Sequence, residues 1–424
     1  MRITFWGVRG STPTPALHTW RYGGNTPCLE LRLPDQLVLI DAGTGIRELG
    51  QQLLADARPD SAGAPPKPIN LSLLFSHYHW DHIQGLPFFA PIYAPGNTIR
   101  LYGPRFRDVA GSSLSAALQA LFSAPFFPVL ASDLRAAHPI EEFDDNANFA
   151  LGDLRIRTCR VNHPQGSVAY RFEHAGASLV YATDHEPGNE EIDRRLRNFA
   201  RGADVLITDA QYFPEQLLAE RKGWGHSSWQ AAAELAVAAE VKNLILFHHE
   251  PTHSDEVLDA ILIHARAAFA NTHSATETLV VEVRRREVFF ANRPARLSQR
   301  ADVHLPVHVE TTEDGARIRE QAYLANLSFH GAYILSPHHF EPQQPIEIAV
   351  PLQTDSAATA AHHGHGQGSP PSEFRLKGVV LRTEPQTTNG HWEGVAVIFP
   401  DAHGRAPARP APGAKPGLDS DTTS

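Results

Sequence analysis

From Met1 to about Asn292, short apolar runs ("LVLI", "INLSLLF", "SLVYA", "DVLIT", "NLILF", "LVVEV") alternate with helical stretches such as "SSWQAAAELAVAAE". That alternation predicts a layered α/β domain. Each apolar run is short and gives way to a polar cluster, which places chemistry in loops at the carboxyl ends of strands. After "NRPARLSQR", read as a linker, the pattern changes. The runs "VHLPVHVE", "AYLANLSFHGAYIL", "PIEIAVPL", "FRLKGVVLR" and "EGVAVIF" are β-branched and aromatic without helical periodicity, and they predict a small all-β barrel. The expected division is 1–292 for the α/β domain and 293–402 for the barrel, with a flexible loop at about 354–372. The Pro- and Ala-rich stretch 403–424 reads as a disordered tail.

Composition narrows the class. A chain of 424 residues exceeds what one core usually supports, in keeping with two domains. Hydrophobic residues at 42% and charged residues at 20% argue against wholesale disorder. The net charge of -10, from 37 basic and 47 acidic residues, speaks against a long nucleic acid as partner. Only Cys28 and Cys159 are present, too few for a disulfide framework, which points to a reducing cytoplasm. There is no signal-peptide apolar core and no run of about 18 apolar residues, so no membrane partner is expected.

The stretch "SHYHWDHIQG" (Ser76 to Gly85) packs three histidines and an aspartate into six positions directly after a buried-strand pattern. A single histidine among the chain's 24 means little, but this cluster offers His77, His79, Asp81 and His82 from one tight turn. Imidazole and carboxylate donors without thiolate suit two divalent ions, zinc first, with manganese or iron as alternatives.

"HYHWDH" resembles the H-x-H-x-D-H signature of the metallo-β-lactamase fold, and "LVLIDAGTG", "VNHP", "YATDHEP" and "LILFHHEP" resemble that family's other motifs in the same order. The resemblance implies an αββα sandwich in which His77, His79 and His163 hold one metal, Asp81, His82 and His248 hold a second, and Asp184 bridges them. Asp41 would orient a ligand from behind. His249 is adjacent to His248 and His253 is near, but strand alternation lets only one of the adjacent pair face the site; a contribution from His249 or His253 stays open. "ADVLITDAQY" and "GWGHSSWQAAAELA" resemble motifs of the ribonuclease Z branch of phosphodiesterases. That branch implies His226 as the proton donor to the leaving oxygen, oriented by Asp209, with Asp81 also essential to catalysis. The branch carries a longer glutamate where Asp209 stands, so a loosened or water-mediated contact to His226 is expected. The stretches "FWGVRGSTPTP" and "RYGGNTPCLEL" are most similar to the phosphoribosyl cyclic phosphodiesterase-like subgroup. Only a hairpin's length separates His163 from Asp184, too little for a tRNA-gripping arm, so the expected substrate is a small phosphodiester such as a cyclic nucleotide. The segment from Gly103 to Asn148 carries no motif and reads as packing before it reads as a roof.

Arg296 and Arg300 form R-x-x-x-R, and "NLSFHG" gives N-x-S-x-x-G from Asn326 to Gly331. In that order they resemble a PilZ domain, which implies cyclic di-GMP gripped by Arg296, Arg300, Asn326, Ser328 and Gly331 as a regulatory ligand. A homodimer is compatible with all of this. The competing readings are a lactonase or thioesterase on the same fold, and a non-catalytic cyclic di-GMP adaptor.

Overall fold

The computed structural model describes residues 1–59, 65–284, 287–293, 301–313, 316–328, 331–351, 373–385 and 393–398. The chain divides into two compact units, Met1–Arg293 and Pro294–Ser424. The loop at about 354–372, the tail 403–424, and both Arg296 and Arg300 lie outside the described residues.

The first unit is built on two sheets. One has eight strands in the order Glu287–Asn292, Leu279–Arg284, Arg2–Gly7, Cys28–Leu33, Gln36–Ile40, Asn70–Leu74, Thr98–Pro104, Ile140–Phe143. The other has seven, in the order Thr272–Ser274, Leu244–Phe247, Val205–Asp209, Ala177–Ala182, Ser167–His174, Leu154–Val161, Asn148–Leu151. Both sheets have apolar residues on both faces, and strict alternation sends successive side chains to different cores. Leu179, Tyr181, Ile207, Ile245 and Phe247 join Phe5, Leu31 and Ile40 between the sheets. Val180, Leu206, Leu244 and Leu246 face outward instead, against Leu196, Ala232, Ala236 and Ile261 of the helices Glu190–Ala200, Trp229–Ala238 and Asp255–Ala268. On the far side Leu39, Leu71 and Leu73 pack under Ile46, Leu49 and Leu53 of the helix Ile46–Asp56. A sheet that is apolar on both faces needs a layer on each, and the result is an αββα sandwich. No helix among the described residues is long and apolar enough to cross a membrane.

In the second unit six strands close into a barrel, in the order Ala301–Glu313, Ala316–Ser328, Gly331–Ser336, Glu393–Ile398, Glu373–Pro385, Pro345–Pro351. Val307, Val309, Leu324, Ile334, Ile348 and Val380 fill its interior. Closure removes the open strand edges that so short a sheet would otherwise expose. Ser328 pairs with Gly331 and Asn326 with Tyr333 where two neighbouring strands meet.

Candidate metal centre

Strand ends from both sheets of the first unit converge on one site. Asp41 follows Gln36–Ile40, His77 comes shortly after Asn70–Leu74, Asp184 after Ala177–Ala182, and His248 directly after Leu244–Phe247, while Asp209 is the last residue of Val205–Asp209. Gln36–Ile40 runs parallel to Asn70–Leu74, and the other three strands run parallel to one another, so side chains leave each sheet at its carboxyl end. Asp41, Asp184 and His248 turn the chain sharply there, with φ of 59°, 55° and 57°. The left-handed conformation costs a non-glycine residue about 1–3 kcal/mol and persists only where neighbours enforce it. His79 stands at the head of the short helix Trp80–Ile83, which presents Asp81 and His82.

Donor atoms of His77, His79, His163 and Asp184 lie within 4.8 Å of one another, and so do those of Asp81, His82 and His248. Asp184 faces both groups. Its Oδ2 is 3.5 Å from His77 Nε2 and 3.6 Å from His163 Nε2, while its Oδ1 is 3.4 Å from His82 Nε2 and 3.3 Å from His248 Nε2. Nε2 of His248 is also 3.1 Å from Asp81 Oδ2.

The donor set fits divalent cations. Nε2 of His77 is buried without a hydrogen-bond partner, an arrangement that is costly unless something else fills its lone pair. Burial drives His77 well below the usual imidazole value and His163 down to about 3, so both rings are neutral. Burial pushes Asp81 and Asp184 upward, but the surrounding histidines outweigh it and hold both carboxylates ionised. Coordination requires neutral imidazoles with ionised carboxylates. Burial lowers His82, but Asp81, Asp184 and Asp41 outweigh it and hold that ring well above its usual value, so a cation bound there would displace its proton.

Behind these groups lie partners that fix each ring. Asp41 Oδ2 is 2.9 Å from His82 Nδ1, and Asp41 is itself held by the Tyr181 hydroxyl at 2.8 Å and the Ser76 backbone N–H at 2.7 Å. Nδ1 of His163 lies 2.8 Å from the Gly225 carbonyl. Gly225 has φ of 87°, and a Cβ there would come within 2.1 Å of that same nitrogen. Gln211 Oε1 meets His248 Nδ1, and Gln165 Oε1 meets His79 Nε2. Such outer partners set the tautomer and aim the coordinating nitrogen. Sequence reasoning missed Gln211, Gln165, Tyr181 and Glu186, because an uncharged amide or a tyrosine next to a strand end carries no spacing signal. Glu186 lies inside the quoted "YATDHEP" stretch; its carboxylate accepts the N–H groups of Gly223 and Gly225 at 2.8 Å and so anchors the loop that carries His226.

His226 Nδ1 sits 2.8 Å from Asp209 Oδ2. The loosened or water-mediated contact expected of the short aspartate is therefore corrected to a direct one. Asp209 Oδ1 accepts the N–H groups of Gln211 at 2.9 Å and Ser227 at 3.3 Å, which draws the loop onto the strand end and closes the gap that a shorter side chain would leave. The Ser228 side chain caps the following helix by accepting from Ala231 N. Burial lowers the His226 pKa, but Asp209 overrides it through charge and hydrogen bond, raising the ring to about 9. The imidazole therefore carries a proton at neutral pH, 3.9 Å from Asp184.

His249 turns the other way: its Nε2 lies 2.9 Å from the Ala275 carbonyl, and burial holds it at about 3. His253 packs against Phe213 and belongs to neither donor group. The segment from Gly103 to Asn148 does pack, with Leu114, Leu118, Leu121 and Phe122 in a buried core, and it also contributes to a cavity. Val109, Ala116, Ala117 and Phe126 wall a cavity that also touches His77 and His79.

A sequence model of the Beta-lactamase superfamily domain matches residues 36–249, a span that holds every residue of both donor groups. Ribonuclease Z of Pyrococcus horikoshii is 24% identical over 298 residues, covering 60% of this chain and 88% of its own. Ribonuclease Z of Thermoplasma acidophilum is 26% identical over 344 residues, covering 68% of this chain and 98% of its own. Among solved structures, the metallo-beta-lactamase fold protein YhfI from Bacillus subtilis aligns with a TM-score of 0.49 at 18% identity, covering 66% of this chain and 97% of that one.

Proposed function

Since this chain belongs to the beta-lactamase superfamily, we infer that it is a metal-dependent hydrolase whose substrate is a small phosphodiester such as a cyclic nucleotide. The observation that carries this reading is the His226–Asp209 pair, 2.8 Å apart and beside Asp184. In this reading His77, His79 and His163 hold one cation, Asp81, His82 and His248 hold the other, and Asp184 serves both, with zinc the first expectation and manganese or iron the alternatives. Bound cations neutralise charge at the phosphoryl oxygens. An alkoxide is a poor leaving group near neutral pH, and His226 removes that barrier by donating the proton from Nε2 to the departing oxygen. Asp209 holds the ring by Nδ1 and stabilises its charged form. Asp81, fixed by the Ser11 N–H at 2.8 Å, keeps its carboxylate aimed at the centre.

A small substrate is favoured over tRNA because the residues between His163 and Asp184 are largely consumed by the strands Ser167–His174 and Ala177–Ala182, which leaves no room for an RNA-gripping arm in that interval. The test is hydrolysis of bis-(p-nitrophenyl) phosphate and a panel of cyclic nucleotides by zinc- or manganese-loaded protein. Cleavage that disappears in Asp81→Ala is the expected result. No diester cleavage alongside lactone or thioester hydrolysis would overturn it in favour of the ester-cleaving alternative.

We propose in addition that the barrel is a PilZ-type sensor of cyclic di-GMP. Its closed six-stranded form and the pairing of Ser328 with Gly331 support this. In that role Arg296 and Arg300 grip phosphate and stack on guanine, while Asn326 and Ser328 add short polar contacts. Calorimetric titration with cyclic di-GMP should show binding that Arg296→Ala with Arg300→Ala removes; absence of binding by the intact chain would end the proposal.

A further inference from the structure

The cavity beside His77 and His79 has a volume of about 650 Å³, within the range of about 300–1,000 Å³ usual for small-molecule sites. One wall comes from the metal centre itself. Another part of the lining comes from the helix Leu114–Leu121, whose Ala116, Ala117 and Ala120 are small, and from Val109 before it. Trp80 and Phe126 also line it and present aromatic surface to solvent, at 59% and 79% exposure. Among the described residues no Lys, Arg, Asp or Glu lines the cavity.

We propose that this cavity receives an uncharged planar ring attached to the scissile phosphate, so that the preferred substrates are single-phosphate diesters carrying an aromatic or heteroaromatic group. The choice of a phosphate rests on the phosphodiesterase reading; the choice of ring rests on the cavity alone. Apolar walls reward burial of a flat apolar face, and Trp80 and Phe126 offer stacking surfaces at the mouth. Away from the metal centre, a second phosphate or a carboxylate would lose water without meeting a Lys or Arg among the described lining residues. Nucleic-acid backbones and diphosphates are therefore disfavoured on this side of the centre.

The experiment compares methylphosphonate, phenylphosphonate and 4-carboxyphenylphosphonate by calorimetric titration of the cation-loaded full chain, beside hydrolysis of methyl and phenyl p-nitrophenyl phosphate. Phenylphosphonate should bind about tenfold or more tighter than methylphosphonate, and the carboxylate should erase the gain. Ala117→Trp, which fills the cavity, and Phe126→Ala, at an exposed position where folding is not at stake, should each shrink the phenyl-to-methyl ratio. Equal affinity for phenyl and methyl overturns the proposal, as does a ratio that neither variant changes. A phenyl preference without cleavage of either diester would leave the ring site standing and remove the phosphodiesterase reading instead.

Discussion

Gln211 Oε1 accepts a hydrogen bond from His248 Nδ1 at 3.0 Å while its own Nε2 donates to Glu250 at 2.6 Å. The amide is thereby fixed in orientation, and so is the tautomer of His248, whose Nε2 is left for the Asp81 and His82 group. Gln211→Ala should weaken retention of one of two cations by about 10- to 100-fold. Competition with a chelator, followed by counting the ions bound per chain, measures it; two ions held as tightly as before would contradict the role.

Loss of His226 should depend on the leaving group. His226→Ala is expected to slow cleavage of an alkyl diester by about 10²–10⁴-fold, yet to spare a p-nitrophenyl ester, whose anion departs without a proton. In the parent enzyme, activity on the alkyl diester should fall as pH rises and His226 deprotonates. Asp209→Asn removes the charge that raises the ring, so this limb should move to lower pH. A uniform loss across leaving groups would reassign His226 to a structural part.

Gly10 admits no side chain. A Cβ there would stand 2.4 Å from His248 Nδ1 and 3.0 Å from Gln211 Oε1. Gly10→Ala should therefore displace His248 and lower metal content and activity together, while far-ultraviolet circular dichroism stays unchanged. Full metal content in this variant would show that the ring yields without losing its function.

Glu277 gives the stability a definite pH dependence. It accepts hydrogen bonds from Asn25 N at 2.6 Å and Asn25 Nδ2 at 3.1 Å, yet desolvation raises its carboxyl from the usual 4.5 to about 7. Between those values the folded protein retains a proton that the unfolded chain releases. Its contribution is full below about pH 4.5 and is lost as pH rises through about 7. Glu277→Gln copies the protonated form, so relative to the parent it should gain stability on going from about pH 5 to about pH 8. Thermal midpoints of both proteins at the two pH values decide; a constant difference would contradict the assignment.

Stripping metal should destabilise the first unit. Ligand binding at about 1,000 times its dissociation constant contributes about 4 kcal/mol, so chelation should lower Tm clearly and zinc or manganese should restore it. His77→Ala, which removes the buried nitrogen that has no partner, should make the chelated protein less sensitive to that treatment.

Much of this was legible in the residues. The αββα layering follows from runs such as "SLVYA" and "NLILF", whose alternate side chains enter two different cores, and such runs announce themselves by pattern. His77, His79 and His82 were legible as a cluster, whereas His163 and His248 were legible only through the resemblance of "VNHP" and "LILFHHEP" to family motifs, each alone being one histidine among 24. The directness of the Asp209–His226 contact was not, because it depends on the Gln211 and Ser227 backbone N–H groups drawing the loop inward. Nor was the cavity: alanines in Leu114–Leu121 matter only through the space they leave, which no composition reveals.

The centre draws Asp41, His77, His79, Asp81 and His82 from one sheet and His163, Asp184 and His248 from the other. His82 and His248 lie 166 positions apart, and their Nε2 atoms are 3.3 Å from each other. A fold held this way has a clasp as well as a reaction centre. The chain can complete its chemistry only after segments 166 positions apart have met, so catalytic competence doubles as a report that the two sheets have come together.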